Sequence, residues 1–313
     1  MTKIAALFPG QGSQAVGMGQ DVADRWPEAA EVFTAVDHSL DFGLSSLCWQ
    51  GPEDQLRLTE NTQPALLAHS AAAWAVLAGA GLKVEAVAGH SLGEYSAIVA
   101  AGGLGVADAA RTVRQRGRLM QKAVPVGQGA MAAILGLDDE IVVDICAAET
   151  ASGHEVVVAA NFNSPGQIVI AGAASAVERA SVTCKERGAR RTVALPVSAP
   201  FHSPLMAPAR EELTPTLQSL DFRPLNVPLY RNIDATAVQA PAAVREGLIR
   251  QVDAPVLWSE TVRRLIADGF DHFVEIGTGQ VLSGLVRRID RKMKTFAAGT
   301  AEGIDTVLTE LVG

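Results

Sequence analysis

Between an apolar run and a helix of small residues the chain spells AVAGHSLGEYSAIVAAG, residues 86 to 102. Gly89 and Gly93 flank Ser91 in a G-x-S-x-G pattern, and no other stretch constrains the fold as much. A serine exposed on a sharp strand-to-helix turn needs flanking positions nearly free of side chains, because strand and helix must approach closely. Serine is also a favoured helix N-cap, the bland role for Ser91. An apolar strand before the turn and a helix after it favour the nucleophile. The helix N-terminus would then aim free N–H groups and a positive dipole end at an oxyanion beside Ser91.

The surrounding chain alternates strand and helix. KIAALF at 3–8 reads as a buried strand, followed by helical periodicity through DVADRWPEAAEVFTAVDHSL. A helix is expected from NTQPALLAHS onward, with Thr62 as its cap and Pro64 in its first turn. The elbow helix and a basic helix, ADAARTVRQRGRLMQKAV, come next. This order implies a parallel sheet covered by helices on both faces. Residues 127–197 read differently, as βαββαβ, the split or ferredoxin-like plan. We therefore expect an α/β protein with a large subdomain from 1–126 and 198–313 and a small inserted subdomain at 127–197. The main sheet resumes with VPLYRNID and HFVEIG.

Composition excludes several classes. The formal charge of −8 argues against nucleic-acid binding, which needs a basic face. Apolar stretches are broken by Gly, His or charge, so no membrane span is expected. Cys48, Cys146 and Cys184 lack metal-ligand or C-x-x-C spacing, so no metal is expected and the thiols read as inert in a reducing compartment. With MTKIAALF entering a strand at once, no leader is expected and a cytoplasmic location follows.

A nucleophilic serine needs a base. His38 and His69 fall on helices, His90 adjoins Ser91 and must point elsewhere, and His154 lies in the insertion. His202, in VSAPFHSPLM, sits after a strand on a loop stiffened by Pro200 and Pro204, which suits a base that must be held in hydrogen-bond reach. His272 is the runner-up. No third acid announces itself. Asp234 is the best candidate, with a turn or capping role as its rival. A thioester, whose thiol leaves with a pKa of about 8.5, asks less of the base, and a carbonyl can orient the imidazole instead.

Two further features bear on chemistry. PGQGSQA, at 9–15, matches G-x-G-x-x-G/A, but helix follows where a dinucleotide site wants a second strand ending in an acid. The glycines more readily free the Gln11 N–H as half of an oxyanion hole. Arg111, Arg114, Arg116 and Arg118 crowd one helix, mostly as a solvated face. Arg116, next to Gly117, is the one that could grip a carboxylate with paired charge-assisted bonds.

With GQGSQ, GHSLGEYSA, RGRLMQ, NSPGQ, PFHSPLM and VEIGTG in this order, the sequence resembles the malonyl-CoA:acyl carrier protein transacylase family from end to end. The resemblance implies an α/β-hydrolase-like core carrying the small subdomain, with the active site between them. It implies Ser91 as the acylated nucleophile, His202 as base and Arg116 as partner of the malonyl carboxylate. It further implies an oxyanion hole from the N–H groups of Gln11 and Leu92, and a Gln251 carbonyl that orients the histidine. Leu92 and Phe201 resemble malonyl-selective versions, whereas Thr278 stands where the family more often has Pro. The substrates would be malonyl-CoA and the phosphopantetheine arm of an acidic acyl carrier protein, with no bound cofactor and a monomeric enzyme. Lys185, Arg187, Arg190 and Arg191, or Arg287, Arg288, Arg291, Lys292 and Lys294, would offer the carrier a basic dock; ordinary solvated charge is the rival reading. A serine hydrolase or acyl-thioesterase on the same elbow is the competing function, and a non-catalytic carrier-binding module a third.

Overall fold

The computed structural model describes residues 2–153, 155–197 and 199–313. Its strands in chain order are β1 (Ile4–Phe8), β2 (Ala86–Gly89), β3 (Gly129–Leu135), β4 (Val157–Ser164), β5 (Gln167–Ala173), β6 (Arg191–Ala194), β7 (Leu229–Tyr230), β8 (Ala237–Val238), β9 (His272–Ile276) and β10 (Lys294–Ala298). Six of them form one sheet in the order β10-β9-β1-β2-β7-β8, parallel except for the β7–β8 pair. The other four form a separate antiparallel sheet, β4-β5-β3-β6.

Period-two alternation decides how the large sheet is buried. Ala6 and Phe8 of β1 face one hydrophobic cluster, which holds Phe33, Leu66 and Tyr95. Ala5 and Leu7 face another, with Trp258, Phe273 and Val286. Both sides of the strand are therefore dry, as a parallel sheet wrapped by helices requires. The four-stranded sheet splits its faces too. Ile134, Ile168 and Ile170 pack under Val142, Ile145 and Val177 of its two helices. Met131, Val169 and Ala171 join the large core instead. The units are stitched where Val256 N–H donates to Ala160 O and accepts, through its own carbonyl, from Phe162 N–H, both at 2.9 Å. A cleft lined by residues of both units, Met131 and Asn161 from one and Leu92 and Phe201 from the other, opens nearby.

Several expectations need correction. The helix expected through residues 21–40 is two, Gln20–Arg25 and Pro27–Leu40. Trp26 is extended between them, because the residue before a proline is pushed out of the helical region. The long alanine-rich helix begins at Thr59, so Thr62 lies inside it and donates to Leu56 O at 2.6 Å rather than capping it. β7 keeps only two residues of VPLYRNID. β8 and β10 are strands that the pattern did not reveal; β10 is a half-exposed edge whose KTFAA lacks clean alternation.

Candidate active site

β2 ends at Gly89 and a helix starts at Gly93, so the chain reverses over three residues. A Cβ on Gly89 would fall 1.9 Å from the Gly93 carbonyl carbon, and one on Gly93 2.0 Å from Phe8 O. Only glycine fits either position. Ser91 itself takes φ 51, a left-handed conformation costly for a non-glycine residue. Asn232 straps it in place: the Ser91 N–H donates to Asn232 Oδ1 and Asn232 Nδ2 donates to Gly89 O, both at 2.7 Å.

Ser91 Oγ lies 2.7 Å from His202 Nε2. The other ring nitrogen, Nδ1, faces the carbonyls of Gln251 at 3.0 Å and Ala254 at 3.2 Å. Carbonyls only accept, so Nδ1 carries the proton and Nε2 is left to accept from the serine. Burial, helped by the neighbouring positive charge of Arg116 and by His90, pushes His202 down to about 3, against the pull of the two carbonyls. The imidazole is therefore neutral and available as a base. Asp234 takes no part; it pairs with Arg231 and Thr236 on a turn.

Arg116 projects from the helix Val106–Lys122 and is 1% exposed. Its Nη2 donates to Ser91 Oγ at 3.1 Å and to Gln251 Oε1 at 2.9 Å, while Nη1 donates to Gln63 Oε1 at 2.9 Å. The guanidinium sits 5.7 Å from the Tyr95 ring centroid. Its Nε–H is buried without a hydrogen-bond partner. Two of its companions are exposed ion pairs, Arg111 with Asp108 and Arg118 with Glu60, whereas Arg114 is half-buried, lying over Phe42 and donating to Leu40 O at 3.2 Å.

These groups face a cavity of about 400 Å³. Gln11 and Gly12 line it from the loop after β1, Leu92 from the elbow, Phe201 beside His202, and Met131 and Asn161 from the antiparallel sheet. The β1 loop is pressed on the elbow, since a Cβ on Gly10 would meet His90 O at 2.4 Å. Gln11 is tied down by its side chain, which donates to Thr59 Oγ1 at 3.3 Å. His90 turns away, its Nε2 2.8 Å from Asn163 Oδ1.

The remaining candidates lie elsewhere. His272 opens β9 at the amino edge of the parallel sheet, a strand's length from the elbow at the carboxyl edge, and pairs with Asp271. His69 is buried against Thr278, His38 is on the helix Pro27–Leu40, and His154 lies outside the described residues. Burial pushes the Cys48 and Cys146 thiols up to about 12, too high for a nucleophile. Among the basic clusters, Arg288 bonds Gln167 across the two units and Arg287 bonds Thr295. Among the described residues no group of three or more His, Cys, Asp or Glu is placed to hold a metal, and no helix is long and apolar enough to cross a membrane.

Gln63, Glu94 and Asn232 belong to the site and were not singled out from the sequence. Glu94 had a signal, being the one charge in the otherwise uncharged helix GEYSAIVA. Asn232 and Gln63 had none, since their partners are far away in the chain.

The acyl transferase domain family has a model that matches residues 6–300. The malonyl CoA-acyl carrier protein transacylase of Bacillus subtilis is 47% identical over 311 residues, covering 99% of this chain and 98% of the relative. A crystal structure of an acyl carrier protein S-malonyltransferase from Vibrio cholerae superposes with TM-score 0.95 at 46% identity, covering 98% of this chain and 100% of that one. A malonyl-transacylase solved in complex with a type II polyketide acyl-carrier protein superposes with TM-score 0.95 at 43% identity, covering 98% and 99%.

Proposed function

That the chain belongs to the acyl transferase family is the premise from which we propose that it moves a malonyl group from malonyl-CoA to the phosphopantetheine thiol of an acyl carrier protein. His202 Nε2 takes the Ser91 proton as Oγ attacks the thioester carbonyl. The tetrahedral oxyanion sits against the N–H groups of Gln11 and Leu92, each worth about 2.7–4 kcal/mol to the transition state by analogy with other such donors. Collapse expels the CoA thiolate, which takes the proton from His202 and leaves a malonyl ester on Ser91. The carrier's thiol then repeats the sequence in reverse, and Ser91 regains its proton. Gln251 holds the imidazole through its carbonyl.

The observation that carries this reading is the position of Arg116. A buried guanidinium 3.1 Å from Ser91 Oγ is where the free carboxylate of a malonyl group would lie once the serine is acylated. A hydrolase of neutral esters has no use for it. Leu92 and Phe201 line the cavity beside Ser91 and His202. The substrates named for the relatives support the same assignment.

The finer architecture fits this reading as an α/β-hydrolase-like large subdomain, 1–126 with 198–313, and a ferredoxin-like small one, 127–197, around the cleft. The enzyme acts as a cytoplasmic monomer without a bound cofactor, and one of the two basic clusters is the candidate dock for the acidic carrier. Arg116→Ala tests the assignment: kcat/KM for malonyl-CoA should fall by about 10- to 100-fold more than that for acetyl-CoA, the value of charged hydrogen bonds. Equal losses would remove Arg116 from the carboxylate role.

A further inference from the structure

Beneath the elbow lies a buried carboxyl group that the reaction above does not use. Glu94 is 1% exposed, three residues past the serine, on the helix Gly93–Ala100. Its Oε2 accepts from Gln251 Nε2 at 2.6 Å and from the Asn232 N–H at 3.4 Å. The Gln251 amide is thereby given a direction. Its nitrogen is committed to two acceptors, Glu94 Oε2 and the Ser91 carbonyl at 2.9 Å. Only the amide oxygen remains, and it receives Arg116 Nη2 at 2.9 Å. Turned the other way, the amide would bring N–H groups against a guanidinium and set its oxygen against two oxygens.

We propose that Glu94 is a positioning residue: by fixing the orientation of the Gln251 amide it holds Arg116 where it can grip the carboxylate of an acyl group. The inference rests on the malonyl-transfer reading of the site. Glu94 makes no hydrogen bond to Ser91 Oγ or His202; apart from the route through Gln251 and Arg116 it reaches the elbow only by the long contact with the Asn232 N–H, at 3.4 Å. Burial pushes its carboxyl up to about 7 against hydrogen bonds from Gln251 and Asn232 and the charges of Arg231 and Arg116. A proton on Oε1 leaves Oε2 free to accept, so the relay survives protonation. An amide in place of the carboxyl keeps an accepting oxygen and should also preserve it.

The test compares Glu94→Leu and Glu94→Gln with the unaltered enzyme, using malonyl-CoA, acetyl-CoA and a fluorophosphonate. The fluorophosphonate has no carboxylate for Arg116 to grip, so its labelling of Ser91 reports the reactivity of the serine and its base rather than carboxylate binding. For Glu94→Leu, kcat/KM for malonyl-CoA should fall about 30-fold, with acetyl-CoA and labelling changed by less than about threefold. Glu94→Gln should keep malonyl use within about fivefold of the unaltered enzyme, because the acceptor remains. Malonyl, acetyl and labelling falling together in Glu94→Leu would mean a structural plug and overturn the proposal. So would an unchanged malonyl preference. Selective malonyl loss in Glu94→Gln also overturns it, and that arm stands even where the leucine variant does not fold. If the unaltered enzyme labels normally yet shows no malonyl preference, the malonyl reading itself fails first.

Discussion

Two corners at the carboxyl edge of the same sheet place a buried histidine against a hydroxyl. Past β2, His202 Nε2 lies 2.7 Å from Ser91 Oγ; past β9, His69 Nδ1 lies 2.6 Å from Thr278 Oγ1. Burial leads the depression of both histidines, to about 3 and about 4. The second corner even opens on the larger cavity, about 930 Å³ against about 400 Å³. Neither the contact nor the space singles out the reactive site. What differs is the setting. Ser91 is held at φ 51 on a strapped elbow, with a guanidinium 3.1 Å from its oxygen and a base whose far nitrogen is anchored by carbonyls. Thr278 has a thioether instead, its hydroxyl donating to Met18 Sδ at 3.5 Å. A hydrogen-bonded pair becomes a nucleophile when strain exposes it, a carbonyl sets the tautomer and a charge waits for the substrate.

The largest effect should come from the base. His202→Ala should cut acylation of Ser91 by about 10²–10⁴-fold, the range for a positioned general base. Stopped-flow release of CoA measures it, and a loss below tenfold would reduce His202 to packing.

The acid response should separate this base from an ordinary histidine. A histidine whose pKa is lowered stays neutral as pH falls through its usual value near 6.5, and loses base function only on approaching the lowered one. With His202 at about 3, fluorophosphonate labelling of Ser91 should change by less than about twofold between pH 7.5 and 5.5. A drop of tenfold centred near 6.5 would show an unshifted imidazole.

The smallest effect on turnover belongs to the other corner. Thr278→Ala should leave acyl transfer within about twofold while costing about 1–3 kcal/mol of stability, because a buried ring nitrogen loses its partner. Chemical denaturation alongside an activity assay checks both. Loss of turnover without loss of stability would make the second corner functional.

How much of this was readable before the structure depended on whether a residue's role was local. The elbow could be read because its glycines are neighbours of Ser91, and His202 because prolines brace it within a few residues. Arg116 stood out only against three arginines on the same helix. Its burial is a tertiary fact, set by Gln63 and Gln251 at 53 and 135 residues' distance. Asn232, which locks the elbow, is less conspicuous in the sequence than Asp234 two positions on, because an acid is the expected triad member and a strap across 141 residues has no spelling. In the fold, buried strands such as IAALF declared themselves. The edge strand β10 did not, since one exposed end and a lysine blur its alternation. The break at Trp26 could have been read from Pro27, yet helical periodicity on both sides masked it.

The most direct measurement is to mix the protein with malonyl-CoA, locate the adduct by peptide mass spectrometry, and then add holo acyl carrier protein. One malonyl group should appear, on the peptide holding Ser91 and none on Thr278, and it should stay in buffer and leave for the carrier's thiol. An adduct on another residue, no adduct, or free malonate released as fast without the carrier would contradict it.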